Sequence, residues 1–571
     1  MIKIKQRKYL FFLFTMLVYL YYTVESPADN NMLQWSIADR LPIDSGISVL
    51  RYSTTGLGAY PYSYALPGTG VRVTIDGIPM RSFSPFGTDL ELIPSQFVDS
   101  FEYNGLDELN INTKDVTEEE PLTSTDFLLG SRRRFNFDMT FNRKLGNKAG
   151  IFIGGSSSGI HGSNTTEKNS LRIYYIKYQR YLENKSTVNF SIYGFRDRDG
   201  IVDFDTIYYQ NNHKTGTRMG ERKTDNYSVS LGLNKYPIGE QTIISPVVYY
   251  QSGNSRFHRY HLRKSLDEKS AGINIFLSRK REDDTYSLHA LYDTRFFDSR
   301  LHSDINKSWT RHEGEISASF MREKERLRLF LKGGVMNSSE YGAGIKFESE
   351  FDLMVNTEHE IVLRGITSDK FPDTGQEYYT SLVFSDTTTV SDLDKYNISR
   401  IETGVRFKKK YFNLWLFAFR SFSKIPAFSI SQGSISSLRK LYGYRIYFDT
   451  HIEKQFIYDV TMNISQRSGK DEIWPYPLFE FFSDIRVSGN FLNNVLKPTL
   501  FANARFLRWD ESEITPKGNH FMLDCGIAIK VSSLELFYKV ENIINEDIEW
   551  FNTMGWLGRN GMWGGKWVFY D

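Results

Sequence analysis

The chain of 571 residues contains a single cysteine, Cys525. An intramolecular disulfide is therefore excluded, and no cysteine near the N-terminus could carry a lipid anchor, so an exported fold has to be stable without staples. Metal chemistry is equally short of material. The ten histidines show no H-E-x-x-H spacing and there is no cysteine cluster, so a zinc enzyme has no support. P-loop and dinucleotide fingerprints are absent. Charge of one sign is also missing: 70 Lys and Arg against 68 Asp and Glu leave a net charge of +2, which gives no electrostatic reason to expect nucleic acid. Past residue 28 no run is long and apolar enough for a membrane-crossing helix, in keeping with a mean hydropathy of -0.41.

What is present begins with an export pattern. Lys3, Lys5, Arg7 and Lys8 precede the uncharged run Tyr9 to Tyr22, and Ser26-Pro27-Ala28 offers a small-x-small cleavage site. Residues 1–28 read as a secretory signal peptide, because the apolar run is shorter than the roughly 20 residues a spanning helix needs. An exported chain without a membrane helix is periplasmic, secreted, or inserted as a β-barrel.

Aromatic residues are abundant, with 35 Tyr, 43 Phe and 9 Trp. They favour strands, and in membrane barrels they form girdles at the two interfaces. From Asp126 to Asp571 the chain repeats period-2 segments between polar connections. Phe135, Phe137, Met139 and Phe141 alternate with Asn136, Asp138, Thr140 and Asn142. Tyr227 to Leu233 alternates in the same way with Ser228 to Asn234. Further on, Phe456, Tyr458, Val460, Met462 and Ile464 oppose Ile457, Asp459, Thr461, Asn463 and Ser465, and Phe521 to Ile529 opposes Met522 to Lys530. Cys525 takes a small apolar place in that last pattern. Segments of about nine to eleven residues suit a tilted strand crossing a bilayer, longer than the roughly five or six of soluble sheets. The expectation is an all-β fold, a large antiparallel transmembrane barrel over residues 126–571. At roughly 20 residues per strand with its connection, it holds about 22 strands, with about 16 to 22 open. Charged stretches at Ser278–Thr285 and Met321–Leu327 read as solvated turns.

Ahead of the barrel stands "GVRVTIDGIPM", Gly70 to Met80, in which Val71, Val73 and Ile75 alternate with Arg72 and Thr74 before Asp76-Gly77. Asp-Gly between alternating runs signals a tight hairpin. With Ile37 to Leu50, the glycine-rich link Thr54 to Gly70, Leu92 to Val98 with Ile93-Pro94, and Phe101 to Gly105, it resembles the plug domain of TonB-dependent outer-membrane receptors. The closing segment resembles the same family, through Glu541-Asn542 after a strand and Phe569-Tyr570 at the end. Asp571 is a departure from the usual terminal aromatic. The resemblance implies a small α+β plug within residues 29–125, ending near Gly105 before an acidic linker from Asp115, with Arg72, Asp76 and Gly77 in the plug hairpin and Ile93 and Pro94 at the start of a short helix or turn. It also implies an outer-membrane location in a Gram-negative-type bacterium, contact with outer-membrane lipids and the barrel assembly machinery, and import of an unknown ligand energised by TonB. No convincing TonB box lies between Asp29 and Ser36, so a passive, porin-like channel stands as the alternative.

Other chemistry has weak footing. "GSSSG", Gly155 to Gly159, matches the nucleophile motif G-x-S-x-G around Ser157, but that motif needs a strand, a sharp turn and a helix, and a barrel turn is the expected reading. Asp197, Asp199, Asp203 and Asp205 could offer carboxylates to a hard cation, though the spacing misses the EF-hand pattern and an acidic loop is the expectation. No enzyme activity, metal or cofactor is expected. Asp138, Asp459, Asn463, Asp524 and Lys530, on the second face of their strands, are the candidates to line the lumen.

Overall fold

Alternation of apolar and polar residues builds two bodies, one inside the other. The computed structural model describes residues 36–39, 47–51, 59–63, 71–83, 87–104, 108–160, 169–201, 220–259, 262–302, 305–372, 395–427, 435–454, 456–468, 477–492, 495–509, 518–546, 549–550, 554–555 and 558–570. The proposed signal, Asp203, Asp205, Asp571 and most of the link Thr54 to Gly70 lie outside them.

The N-terminal part contains strands β1 (Ile47–Arg51) and β2 (Ala59–Ser63), which pair with each other. Next come β3 (Arg72–Ile75), β4 (Ile78–Pro79), β5 (Val98–Asn104) and β6 (Glu108–Thr113). These four form a sheet in the order β4-β3-β6-β5, with β3 and β6 parallel and the other pairs antiparallel. The hairpin turn is of the primed kind, since Asp76 (φ 49°) and Gly77 (φ 79°) both lie in the left-handed region that Asp-Gly tolerates. Val73, Ile75, Leu109 and Ile111 bury one face of the sheet with Ile37, Val49, Leu90, Ile93 and Val98. Each such side chain contributes about 1.5–3 kcal/mol. Among the described residues helix is confined to Ile37–Asp39 and short 3-10 turns, Leu90–Leu92 and Ser95–Phe97 among them.

Around this sheet an antiparallel barrel closes. Gly220–Asn234 and Tyr236–Gly239 both pair with Thr242–Arg259 and count as one strand, which gives a ring of 22. It opens with β7 (Leu122–Gly130), β8 (Arg134–Lys144), β9 (Ala149–Ile160), β10 (Asn169–Tyr181), β11 (Thr187–Ile201) and β12 (Gly220–Asn234). The ring is sealed where β7 pairs with Asn560–Tyr570. The expected start at Asp126 falls inside β7: four residues earlier, Leu122 already pairs with Asn142 and Tyr570. Phe135, Phe137 and Met139 are exposed on the outer surface while Asp138 is 1% exposed and Thr140 and Asn142 are buried, so the barrel inverts the solubility rule of a globular core. At one end the strands meet in short turns, such as Glu282-Asp283, Glu325-Arg326 and Ser532-Ser533, and at the other end the strand ends are further apart in sequence, as between Ile201 and Gly220 and between Lys370 and Tyr396. Short turns mark the periplasmic end of outer-membrane barrels.

Candidate functional site

Where the N-terminal sheet meets the inner wall, buried charges converge. The face of the sheet opposite its apolar core carries Arg72, Thr74, Glu108 and Asn110, because in the parallel register Arg72 lies beside Glu108 and Thr74 beside Asn110. The Thr74 hydroxyl donates to Asn110 Oδ1 at 2.5 Å. Arg72 Nη1 donates to Glu315 Oε2 at 2.6 Å, and Glu108 lies 3.5 Å from Lys332 Nζ. Burial pushes the Glu108 carboxyl up, but Lys332, Lys346 and Arg72 outweigh it and hold the group below the usual carboxylate range. Burial works against the Arg72 charge as well, and Glu315 with Glu108 raises its pKa above the ordinary value.

A second cluster gathers around Arg81, just past the hairpin. Its guanidinium donates to Asp293 and lies 3.5 Å from Glu268, with all three side chains no more than 7% exposed. Asp293 also accepts from Arg295 at 2.8 Å, Arg295 pairs with Glu313 at 2.5 Å, and Arg311 reaches Glu340 at 2.5 Å. The result is an alternating run of charges up one wall. Removing one member of a buried pair costs about 3–5 kcal/mol, because its partner keeps its charge without compensation.

Between these clusters the Asp-Gly turn is held from both sides. Asp76 accepts from the Thr113 backbone N–H at 2.9 Å, from the Thr113 hydroxyl at 2.5 Å and from the Tyr175 hydroxyl of β10 at 3.1 Å. The Gly77 carbonyl accepts from Asn274 Nδ2 at 2.7 Å, and His289 Nε2 meets Asn274 Oδ1 at 2.7 Å. After β6 the chain is strapped to β10. Lys177 Nζ donates to Asp115 at 2.9 Å, Gln179 accepts from the Val116 N–H at 2.6 Å and donates to Asp115 at 2.7 Å, and the Tyr181 hydroxyl donates to the Val116 carbonyl. Burial raises the Asp115 carboxyl, but Lys177 and Gln179 more than offset it and the group sits below its ordinary range.

Apolar contact completes the seat. Inward-facing glycines make sockets for bulky side chains of the N-terminal part: a Cβ on Gly154 would sit 2.4 Å from the Phe97 ring, one on Gly150 2.4 Å from Val116, and one on Gly253 2.6 Å from Phe83. Phe97 stacks on Tyr175 at 5.9 Å between centroids and meets Phe152 edge-on at 6.2 Å. Phe83 packs with Leu266, Phe297 and Trp309.

Sequence reasoning singled out Arg72, Asp76 and Gly77, and all three touch or approach the wall here. Ile93 is buried and accepts from the Ile37 N–H at 3.0 Å, and Pro94 precedes the Ser95–Phe97 turn. Asp138 and Asn463 are buried on inward faces, and Asn463 Oδ1 accepts from Arg445 at 3.4 Å. Asp459 binds His451 at 2.5 Å and Asp524 lies 3.3 Å from Lys539, so these two are fixed in wall pairs. Lys530 is exposed beside the short turn Ser532-Ser533. Two expectations need correction. Ser157 lies within continuous strand β9, opposite Phe137 and Arg172, so the G-x-S-x-G match is neither a turn nor a nucleophile elbow. Asp197 and Asp199 likewise belong to strand β11 and not to a loop, and no carboxylate cluster of metal-site geometry occurs among the described residues. Strand β6 was missed: with the plug ended near Gly105, the alternation of Leu109 and Ile111 is the signal that would have found it. Arg81, Lys177 and Gln179 carry no local motif, because their partners lie far along the chain.

No protein-family model matches the sequence, and no curated protein matches it. Solved structures do. The copper transporter OprC is 10% identical with a TM-score of 0.75, covering 94% of this chain and 97% of its own. The FrpB iron transporter from Neisseria meningitidis is 10% identical with a TM-score of 0.72, over 94% and 97%. The siderophore receptor PirA from Acinetobacter baumannii is 10% identical with a TM-score of 0.71, over 94% and 96%. At this identity the likeness is one of fold, and it extends over nearly the whole of each chain.

Proposed function

We propose that the chain is an outer-membrane transporter of the TonB-dependent-receptor type, in which residues 29–121 include a plug that closes the lumen and moves to admit a scarce or bulky ligand. The observation that carries this reading is the seat of the N-terminal sheet, whose polar face is pinned to the wall by the charged pairs Arg72–Glu315 and Arg81–Asp293 beside the apolar sockets of Phe97 and Phe83. The charged attachments can be exchanged for water as the sheet shifts, so the apolar area that movement has to expose is confined to the sockets of Phe97, Val116 and Phe83. The structural neighbours are named for copper, iron and siderophores, and a metal or its chelate is the corresponding ligand class here. TonB is the proposed energy-coupling partner. The chain is not proposed to be an enzyme.

Single-channel conductance in planar bilayers tests the reading, comparing the chain from Asp29 with a form that lacks residues 29–121 and keeps β7 whole. A silent intact protein and large, stable channels after deletion are expected. Equal conductance from both would replace this reading with a passive porin, and silence from both, with insertion verified, would end the transport claim.

A further inference from the structure

On the outer surface, where the apolar band gives way toward the long-connection end, one sector of the barrel is studded with cations. Arg172 of β10, Arg196 and Arg198 of β11, Lys223 of β12 and Arg256 of strand Thr242–Arg259 are all exposed and stand on four neighbouring strands. The register places Arg172 opposite Arg196, Arg198 opposite Lys223, and Lys223 opposite Arg256. Like charges directly opposite each other destabilise a sheet, so a row of them calls for a compensating anion. Two carboxylates supply part of it: Asp225 accepts from Arg196 at 2.5 Å, and Glu221 lies 3.7 Å from Lys223. Among the described residues Arg172, Arg198 and Arg256 make no ion pair. Adjacent strands lie about 4.8 Å apart, so the three cations of the upper row span about 10 Å, a width that suits phosphate groups better than a single small ion.

Position narrows the partner. Below the cations the outer face carries Tyr174, Tyr227 and Tyr250, all exposed, with the Tyr227 and Tyr250 rings 6.2 Å apart. Such rings mark the level of lipid headgroups. Elsewhere at the same end, outward cations such as Arg300, Lys440 and Arg508 stand singly, opposite Ser265 and Asn306, Phe422, and Phe479 and Asn519, so no other described row sets three cations side by side. We infer that this sector is a lateral docking surface for a phosphate-bearing lipid headgroup of the leaflet on the long-connection side. Guanidinium groups bind phosphate in a bidentate fashion, while the tyrosines hold the adjoining glycerol or sugar. The site needs no transport activity and stands or falls apart from the function proposed above.

The test uses the full chain in phosphatidylcholine nanodiscs that contain equal amounts of a bisphosphorylated glycolipid and its dephosphorylated form, with retained lipids counted by native mass spectrometry. The phosphorylated form should be retained about tenfold over the other. R198E/K223E/R256E should abolish that preference, while N337E/S399E on another sector should keep it, with heat-modifiable mobility showing that both variants remain closed barrels. Equal retention of the two lipids, or an unchanged preference in the triple variant, would overturn the proposal. Displacement of the lipid by an equimolar amount of inorganic phosphate would also overturn it, by assigning the row to the free ion.

Discussion

At the scale of single residues, the wall glycines and the sheet's ionised groups do opposite jobs. Gly154 has room only for Phe97, so G154V should force the ring or the strand aside at a cost of about 1–3 kcal/mol, as overpacking does. The second substitution F97A should recover part of that loss. Protection of the Ser95–Asn104 amides in hydrogen exchange reads both effects, and an additive double variant would show that the two positions do not share a socket. Glu108 predicts a pH dependence of known sign. Its folded carboxyl is held below the unfolded value, so its stabilisation is complete above about pH 4.3 and is lost as the pH falls through the depressed value. Exchange in β3 and β6, corrected for intrinsic rates, should be flat through mild acidity and rise only in stronger acid, with E108Q removing that step. A transition near neutrality would contradict the assignment.

At the scale of elements, the Asp76-Gly77 turn joins sheet and wall at one point. D76A removes the acceptor for Thr113 and Tyr175 and leaves buried donors unsatisfied, at about 1–3 kcal/mol for each. It should loosen β3, β4 and β6 together while the barrel strands keep their protection. The turn itself could be read from the sequence because Asp-Gly between alternating runs has few other solutions. So could the crossing strands, whose period of two persists through "RRFNFDMTFNR" and its counterparts. Strand length could not. Leu262–Arg281 and Ile305–Lys324 each run for 20 residues, well past the apolar band, and outside the bilayer alternation loses its contrast because both faces are polar. The partners of Arg81 were hidden for a different reason: Asp293 lies 212 residues away, and no local pattern encodes a contact across a lumen.

At the scale of the whole molecule, closure depends on one distant pairing. Neighbouring wall strands elsewhere follow one another along the chain, but β7 bonds to Asn560–Tyr570, and Ser131 accepts from the Gly561 N–H across 430 residues. Removing Asn560–Tyr570 would expose two strand edges, so the truncated protein should fail to show heat-modifiable mobility on gels, whereas the single change S131A should retain it. A closed ring from the truncated chain would mean that β7 can find another partner.

The strap from Lys114 to Val116 adds a matter of timing to this. Only a short segment joins β6 to β7, and it is bound to β10 on the way. The N-terminal sheet is thus tethered at the mouth of a ring that cannot shut until some 430 residues later. Assembly is like fitting a cork while the staves are still being raised: the sheet has to lie among the strands before the last of them arrives, and a variant slow to fold the sheet would trap an empty barrel that no later event could fill.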